Sequence, residues 1–185
     1  MHQQTVILVE GVSDQRAVEA VAQARGRDLA AEGVAVVPIG GAQAIGRYLS
    51  RYGPDGLDIR LAGMCDAGEE RDYRLGLERA GLGADLTREG MEQLGFGVCE
   101  ADLEDELIRA LGPGEVEQVL AVQGDLGPFR TLQKQPAWRG RPLDEQLRRF
   151  MGSGGSRKVR YARLLVQALE LDRVPRPLDV ALSHV

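Results

Sequence analysis

Val9-Glu10-Gly11-Val12-Ser13-Asp14 closes an apolar run, Thr5 to Val9, and opens a helical pattern that begins near Gln15. A short apolar run bounded by glycine reads as a buried strand, so the stretch is a strand-to-helix turn carrying two carboxylates, Glu10 and Asp14. In an open parallel sheet, ligands and catalytic groups gather at the carboxyl ends of the strands. Two acids there suggest a metal site. The same residues also admit a plainer reading, with Asp14 complementing a helix N-terminus and Glu10 solvated, and the rest of the chain has to decide between them.

The strand-then-helix pattern recurs. Val34 to Ile39, Ile59 to Cys65 and Phe96 to Cys99 are further β-branched or apolar runs of strand length. Between them, Asp14 to Ala24 places Ala17, Val18, Val21 and Ala22 at helical spacing, Gln43 to Tyr52 follows a Gly-Gly turn, and Glu69 to Ala80 and Thr87 to Leu94 complete the series. Alternation of this kind predicts an α/β fold: a central parallel sheet of about four strands flanked by helices. Runs apolar on both faces predict central strands. After Leu111 the pattern changes. Gly112-Pro113-Gly114 breaks the chain, a helix follows over Glu115 to Val122, and Gly124 to Pro142 reads as irregular and turn-rich around the sole tryptophan, Trp138. Helices are predicted over Leu143 to Met151 and Arg157 to Leu169, separated by Gly152 to Ser156, with Pro175 and Pro177 ending helical structure. The reading is therefore an α/β domain over residues 1–111 and a helical extension over 112–185 packed on it.

Composition narrows the class. A chain of 185 residues suits one domain with an appended part, and no apolar run approaches the ~20 residues of a membrane span. Met-His-Gln-Gln leads into strand without the basic segment and apolar core of a signal peptide, so a cytoplasmic protein is expected. Cys65 and Cys99 each end a strand-like run and lack the CxxC or Cys/His spacing of a zinc or redox site, so they read as small buried residues. His2 and His184, at opposite ends, support no histidine mechanism, and His184 is expected to be exposed. Charge is uneven: residues 1–127 carry 11 Lys/Arg against 23 Asp/Glu, net −12, whereas residues 128–185 carry 12 against 5, net +7. An acidic front and a basic back suit a divalent metal and a phosphodiester, or simply complement each other when packed.

Gly41-Ala42-Gln43-Ala44-Ile45-Gly46-Arg47-Tyr48 has the glycine spacing of a phosphate-binding P-loop, but Arg47 and Tyr48 stand where lysine and Ser/Thr are required. It reads as a Gly-Gly turn. Asp66 directly follows the third strand, facing the same rim as Glu10, and a buried strand end needs a reason to carry charge. Glu69 and Glu70 beyond it suit the first turn of a helix. In Ala101-Asp102-Leu103-Glu104-Asp105-Glu106-Leu107-Ile108, residues Leu107, Ile108 and Leu111 lie three, four and seven places after Glu104, which puts Glu104 on the core-facing side. Asp102 reads as an N-cap, and Asp105 and Glu106 as solvated. Lys158 is one of two lysines beside 21 arginines; Ala162, Leu165 and Leu169 follow it at four, seven and eleven, so it projects along an apolar face. An inward lysine suits phosphate charge in a transition state or snorkels from the helix end, while Arg157, Arg160 and Arg163 form a more exposed row suited to a nucleic-acid backbone.

Taken together, VEGVSD (9–14), the strand ending in Asp66, ADLEDEL (101–107) and the later Lys158 resemble the TOPRIM domain, most closely that of the overcoming-lysogenization-defect (OLD) nucleases. The resemblance covers residues 5–111, with Lys158 extending it. It implies a Rossmann-like α/β sheet and phosphoryl transfer on nucleic acid, DNA in the first place and RNA or nucleotides as alternatives, with Mg2+ or Mn2+ as cofactor. By matching position, Glu10 would be the general acid/base or metal-linked glutamate, Asp14, Asp66 and Glu104 would hold the metal, and Lys158 would stabilise the transition state. One position departs. TOPRIM domains usually carry Asp-x-Asp after the third strand, and here the second acid is replaced by Gly68, so either Glu69 or Glu70 reaches in or the site holds one metal. OLD relatives also carry an ATPase domain not found in this sequence, which implies a separate ATPase partner or independent action; a homodimer is also compatible. The expectation is a DNA endonuclease or nickase, with a catalytically weak metal- and nucleic-acid-binding module as the alternative.

Overall fold

The computed structural model describes residues 4–185; His2 lies outside them. Four parallel strands, β1 (Thr5–Val9), β2 (Val34–Pro38), β3 (Arg60–Cys65) and β4 (Phe96–Val98), form one sheet in the order β2-β1-β3-β4. Thr5 pairs with Val34 on one side and Arg60 on the other, and Gly63 pairs with Phe96. Successive side chains of a strand face opposite ways. Val6 and Leu8 of β1 therefore enter one core and Ile7 and Val9 the other, each fully buried aliphatic side chain contributing roughly 1.5–3 kcal/mol.

Helices cover both faces. Ile45 and Leu49 of α2 (Ile45–Tyr52), Tyr73 and Leu77 of α3 (Glu70–Arg79) and Met91 of α4 (Arg88–Gln93) fill one core. The other takes Ala17, Val18 and Val21 of α1 (Val12–Ala24) and Leu103, Leu107 and Ile108 of α5 (Leu103–Leu111). Residues beyond 111 join this second core directly: α6 (Pro113–Val122), α7 (Leu126–Lys134), α8 (Leu143–Gly152), α9 (Gly155–Ala168) and α10 (Arg176–Ser183) contribute Val116, Phe129, Phe150, Leu165 and Leu178 to the same cluster. α9 lies along α1, and α10 lies under β3 and β4.

This topology positions the site. From β1 the chain passes over one face to β2, then crosses by the opposite face to β3, so the connections leave β1 and β3 in opposite senses. The crevice beyond the carboxyl ends of β1 and β3 is thus the switch point at which open α/β sheets bind ligands, and Glu10 and Asp66 stand on its two sides.

Several sequence expectations are corrected. β2 and β4 are edge strands, not central ones, and β2 is only partly covered. The stretch expected to be irregular after Gly124 contains α7, whose proline, Pro128, sits in the first helical turn, where its missing N–H costs nothing. Pro175 and Pro177 likewise start α10 instead of ending helical structure. His184 is half-buried, its imidazole packed against Gly95 at φ +84°, where any added Cβ would collide with the ring. Glu106 is buried; its carboxylate accepts the Glu100 N–H at 2.7 Å and pairs with Arg109. By contrast, both cysteines are buried free thiols, as expected, and among the described residues no helix is long and apolar enough to cross a membrane.

Candidate metal and phosphodiester site

Gly40 and Gly41, at φ +79° and +112°, turn the chain after β2 so that both their N–H groups donate to the Glu10 carbonyl, at 3.1 and 3.2 Å. That geometry needs glycine, and it explains the P-loop-like spacing as a turn that clamps the backbone of Glu10. The Glu10 side chain reaches across the switch point, its Oε1 accepting the Asp66 N–H at 2.9 Å. Asp14 is the third residue of α1 and accepts the Gly11 N–H at 2.8 Å. Asp14 therefore satisfies a helix-end donor while lying 8% exposed, with the charge of Asp102 felt at its carboxyl.

The remaining two elements come from α5 and α9. Asp102 caps α5 by accepting the Asp105 N–H at 2.9 Å and also binds Arg148. This sets the first turn so that Glu104 points inward, as its spacing predicts, with 7% exposure. Glu104 Oε2 lies 3.3 Å from Lys158 Nζ in the first turns of α9, whereas Glu104 Oε1 is buried with no hydrogen-bond partner. An unpaired buried carboxylate oxygen costs free energy. It leaves one acceptor open to a donor or a cation.

Electrostatics agree. Burial, then the neighbouring Glu10, Asp14 and Asp102, push the Asp66 carboxyl up to about 7. Burial also raises Glu10, with Asp14 and Glu69 adding to it against the Asp66 N–H, and raises Asp14 and Glu104 against the pull of Lys158. Burial works against charging Lys158, but Glu104 and Asp14 outweigh it and hold its ammonium above its ordinary range. Carboxyls that resist ionisation together form a site short of positive charge. Among the described residues no three of these side chains close around one point; backbone amides and Lys158 hold individual oxygens apart. The donor set is hard oxygen throughout, which suits Mg2+ or Mn2+.

The two candidates for the place vacated at Gly68 separate. Glu70 is drawn away into an ion pair with Arg88 at 2.6 Å, whereas Glu69 is near enough to raise Glu10. The arginine row also separates. Arg157 is held inside the fold, stacked 4.1 Å over the Phe150 ring and donating to Ser153 Oγ at 2.8 Å. Arg160 pairs with Asp125, and Arg163 is exposed. Sequence reasoning missed the cations that do border the acids, Arg148 and Arg149 of α8, because only the fold brings α8 beside α5.

A four-stranded parallel sheet with acids at the ends of β1 and β3 and in the helix after β4 is the arrangement that the resemblance to TOPRIM domains implies. Residues 3–67 match the family model described as the overcoming lysogenization defect protein-like TOPRIM domain. The whole chain is similar in fold to the C-terminal region of the Burkholderia pseudomallei OLD protein (TM-score 0.75, 20% identity, covering 100% of this chain and 97% of that one). It is also similar to the C-terminal region of the Xanthomonas campestris pv. campestris OLD protein (TM-score 0.72, 26% identity, covering 99% and 92%). Comparison with curated proteins yielded no match.

Proposed function

We propose that this chain is a Mg2+- or Mn2+-dependent nuclease that hydrolyses DNA phosphodiesters at the carboxyl ends of β1 and β3. A TOPRIM fold implies metal-dependent action on nucleic acid, and the observation that carries the finer reading is the pairing of Glu104 with Lys158 beside the Glu10–Asp66 contact. Acid and cation face one another where a phosphate would have to be gripped and its charge offset.

In this reading Asp14, Asp66 and Glu104 would hold the metal, with Glu69 taking the place vacated at Gly68. A divalent cation there would supply Lewis acidity for phosphodiester hydrolysis. Glu10, whose pKa burial raises, takes or returns the proton exchanged between the attacking water and the leaving oxygen. Lys158, contributed by the 112–185 extension, moves from Glu104 toward the developing phosphate charge. The protein is read as acting in the cytoplasm, alone or with a separate ATPase.

A second reading has specific support: Gly68 removes one acid from the motif, so the site could bind metal and nucleic acid for a partner with little catalysis of its own. Supercoiled plasmid separates the two. The nuclease reading expects Mn2+-dependent nicking that EDTA abolishes and that Glu10→Gln, Asp66→Asn and Lys158→Met each reduce at least a hundredfold, about 2.7 kcal/mol or more of barrier. Plasmid binding without cleavage by wild type supports the module, and equal cleavage by wild type and all three variants refutes the site.

A further inference from the structure

A groove of about 480 Å3 opens directly beside the acids, lined by Glu104 and Lys158 on one side and by Trp138, Arg148 and Arg149 on the other, with Asp102 between. Its walls come from α5, α8, α9 and the loop before α8. Trp138 is the sole tryptophan, and it is half-buried. Its backbone is fixed: the Trp138 carbonyl accepts from Gln146 Nε2 at 2.8 Å, and buried Gln146 is itself held by Gln133 at 2.7 Å. Effort is thus spent on placing this loop, although the indole is not part of the hydrophobic core.

Two guanidinium groups lie over the ring at long range. Arg141 and Arg149 stand 5.2 and 5.9 Å from its centroid, well outside the 4.1 Å at which Arg157 closes over Phe150. Arg141 is turned toward Glu145, the other acid on this rim, and Arg148 is committed to Asp102. Arg149 lies over the Trp138 ring and has no ion-pair or side-chain hydrogen-bond partner among the described residues. A half-buried aromatic ring with a loosely placed guanidinium that has no carboxylate partner matches the recognition of single-stranded nucleic acid, where bases stack on aromatic rings and cations follow the backbone. Base pairs in a duplex keep their faces stacked on one another and offer none to a protein ring.

We propose that this groove binds an unpaired stretch of the DNA strand adjoining the reacting phosphate, with one base stacked on Trp138 and the neighbouring phosphate on Arg149. The inference rests on the nuclease reading of the acid site and specifies its substrate as DNA that is single-stranded, or locally opened, next to the point of cleavage. Trp138 and Arg149 are then substrate-positioning residues that touch no metal.

Because Trp138 is the sole tryptophan, its fluorescence reports this site alone. The test titrates the full chain in EDTA with a labelled oligothymidylate and with a blunt duplex of equal length, following both tryptophan emission and label anisotropy. Expected are quenching that tracks oligothymidylate binding, weak quenching by the duplex, binding weakened about tenfold by Trp138→Ala, and most of that loss restored by Trp138→Phe. Oligothymidylate binding that leaves the emission unchanged, equal quenching by the duplex, absence of oligothymidylate binding, or Trp138→Ala binding as tightly as wild type would each overturn the proposal. Should Trp138→Ala fail to fold, the wild-type emission still decides. Plasmid nicking by the same wild-type preparation keeps the two readings apart. Nicking with an unquenched tryptophan removes the groove proposal alone, and quenching without nicking supports the groove and removes the nuclease.

Discussion

Replacing Glu104 with glutamine should cost little in the metal-free protein and nearly all of its response to metal. In the metal-free state Glu104 Oε1 is buried without a partner, and Oε2 gains only a pair with a lysine whose side chain is 39% exposed. A pair of that kind contributes about 0.2–1 kcal/mol. The amide loses it but no longer buries a charge, so stability should change by less than about 1 kcal/mol. A cation that binds only the folded state adds about 2.7 kcal/mol at a hundredfold excess over Kd. For a chain of this size that corresponds to a rise in Tm of roughly 5–11 °C. If the amide weakens binding a hundredfold, the same Mn2+ concentration leaves about 0.4 kcal/mol, near 1 °C. Thermal denaturation across a Mn2+ titration reads both numbers. A Glu104→Gln variant that keeps the full wild-type shift would refute the assignment of Glu104 as a ligand.

Other perturbations follow from the same geometry. Gly68 is exposed, is not in the left-handed region, and has open space where a Cβ would go, so Gly68→Asp should fold normally and tighten Mn2+ binding severalfold by calorimetry; unchanged affinity would mean that Glu69 already fills the role. Asp66 should make the metal-free protein less stable as pH rises. Between its ordinary 3.8 and about 7 the folded state holds a proton that the unfolded chain has released, so stability falls across that window and levels off above it. Urea denaturation in EDTA should show this decline in wild type relative to Asp66→Asn, and parallel pH profiles would contradict it. Gly97→Ala should destabilise by about 1–3 kcal/mol, because the new Cβ would lie 2.6 Å from the backbone of Pro177 and push α10 off β4; an unchanged urea midpoint would show that α10 does not depend on this contact.

Much of this arrangement was legible before any fold was known, and for local reasons. Parallel strands buried on both faces must be short apolar runs, and the acids at their ends stand out because charge there is costly. The same logic of spacing located Glu104 and Lys158, since a helix converts sequence distance into direction. What stayed hidden depended on partners far along the chain. Strand order is a long-range property, so edge strands β2 and β4 resembled central ones. Pro128, Pro175 and Pro177 signal a helix start or a helix end according to which side the chain packs, and their surroundings made them starts. Glu106 looked solvated because the amide it accepts from belongs to the loop before the helix, at Glu100. Arg157 looked like a phosphate ligand until Phe150 and Ser153 were brought beneath it.

The central claim is that Asp14, Asp66 and Glu104 together hold a hydrolytic metal, and anomalous diffraction from crystals soaked in Mn2+ tests it most directly. The account predicts a peak within inner-sphere range, about 2.0–2.3 Å, of carboxylate oxygens from Asp66 and at least one of Asp14 and Glu104, with Glu69 and not Glu70 drawn toward it. Peaks confined to surface carboxylates elsewhere, with Glu104 still held by Lys158 and Asp14 by the backbone amide of Gly11, would contradict it.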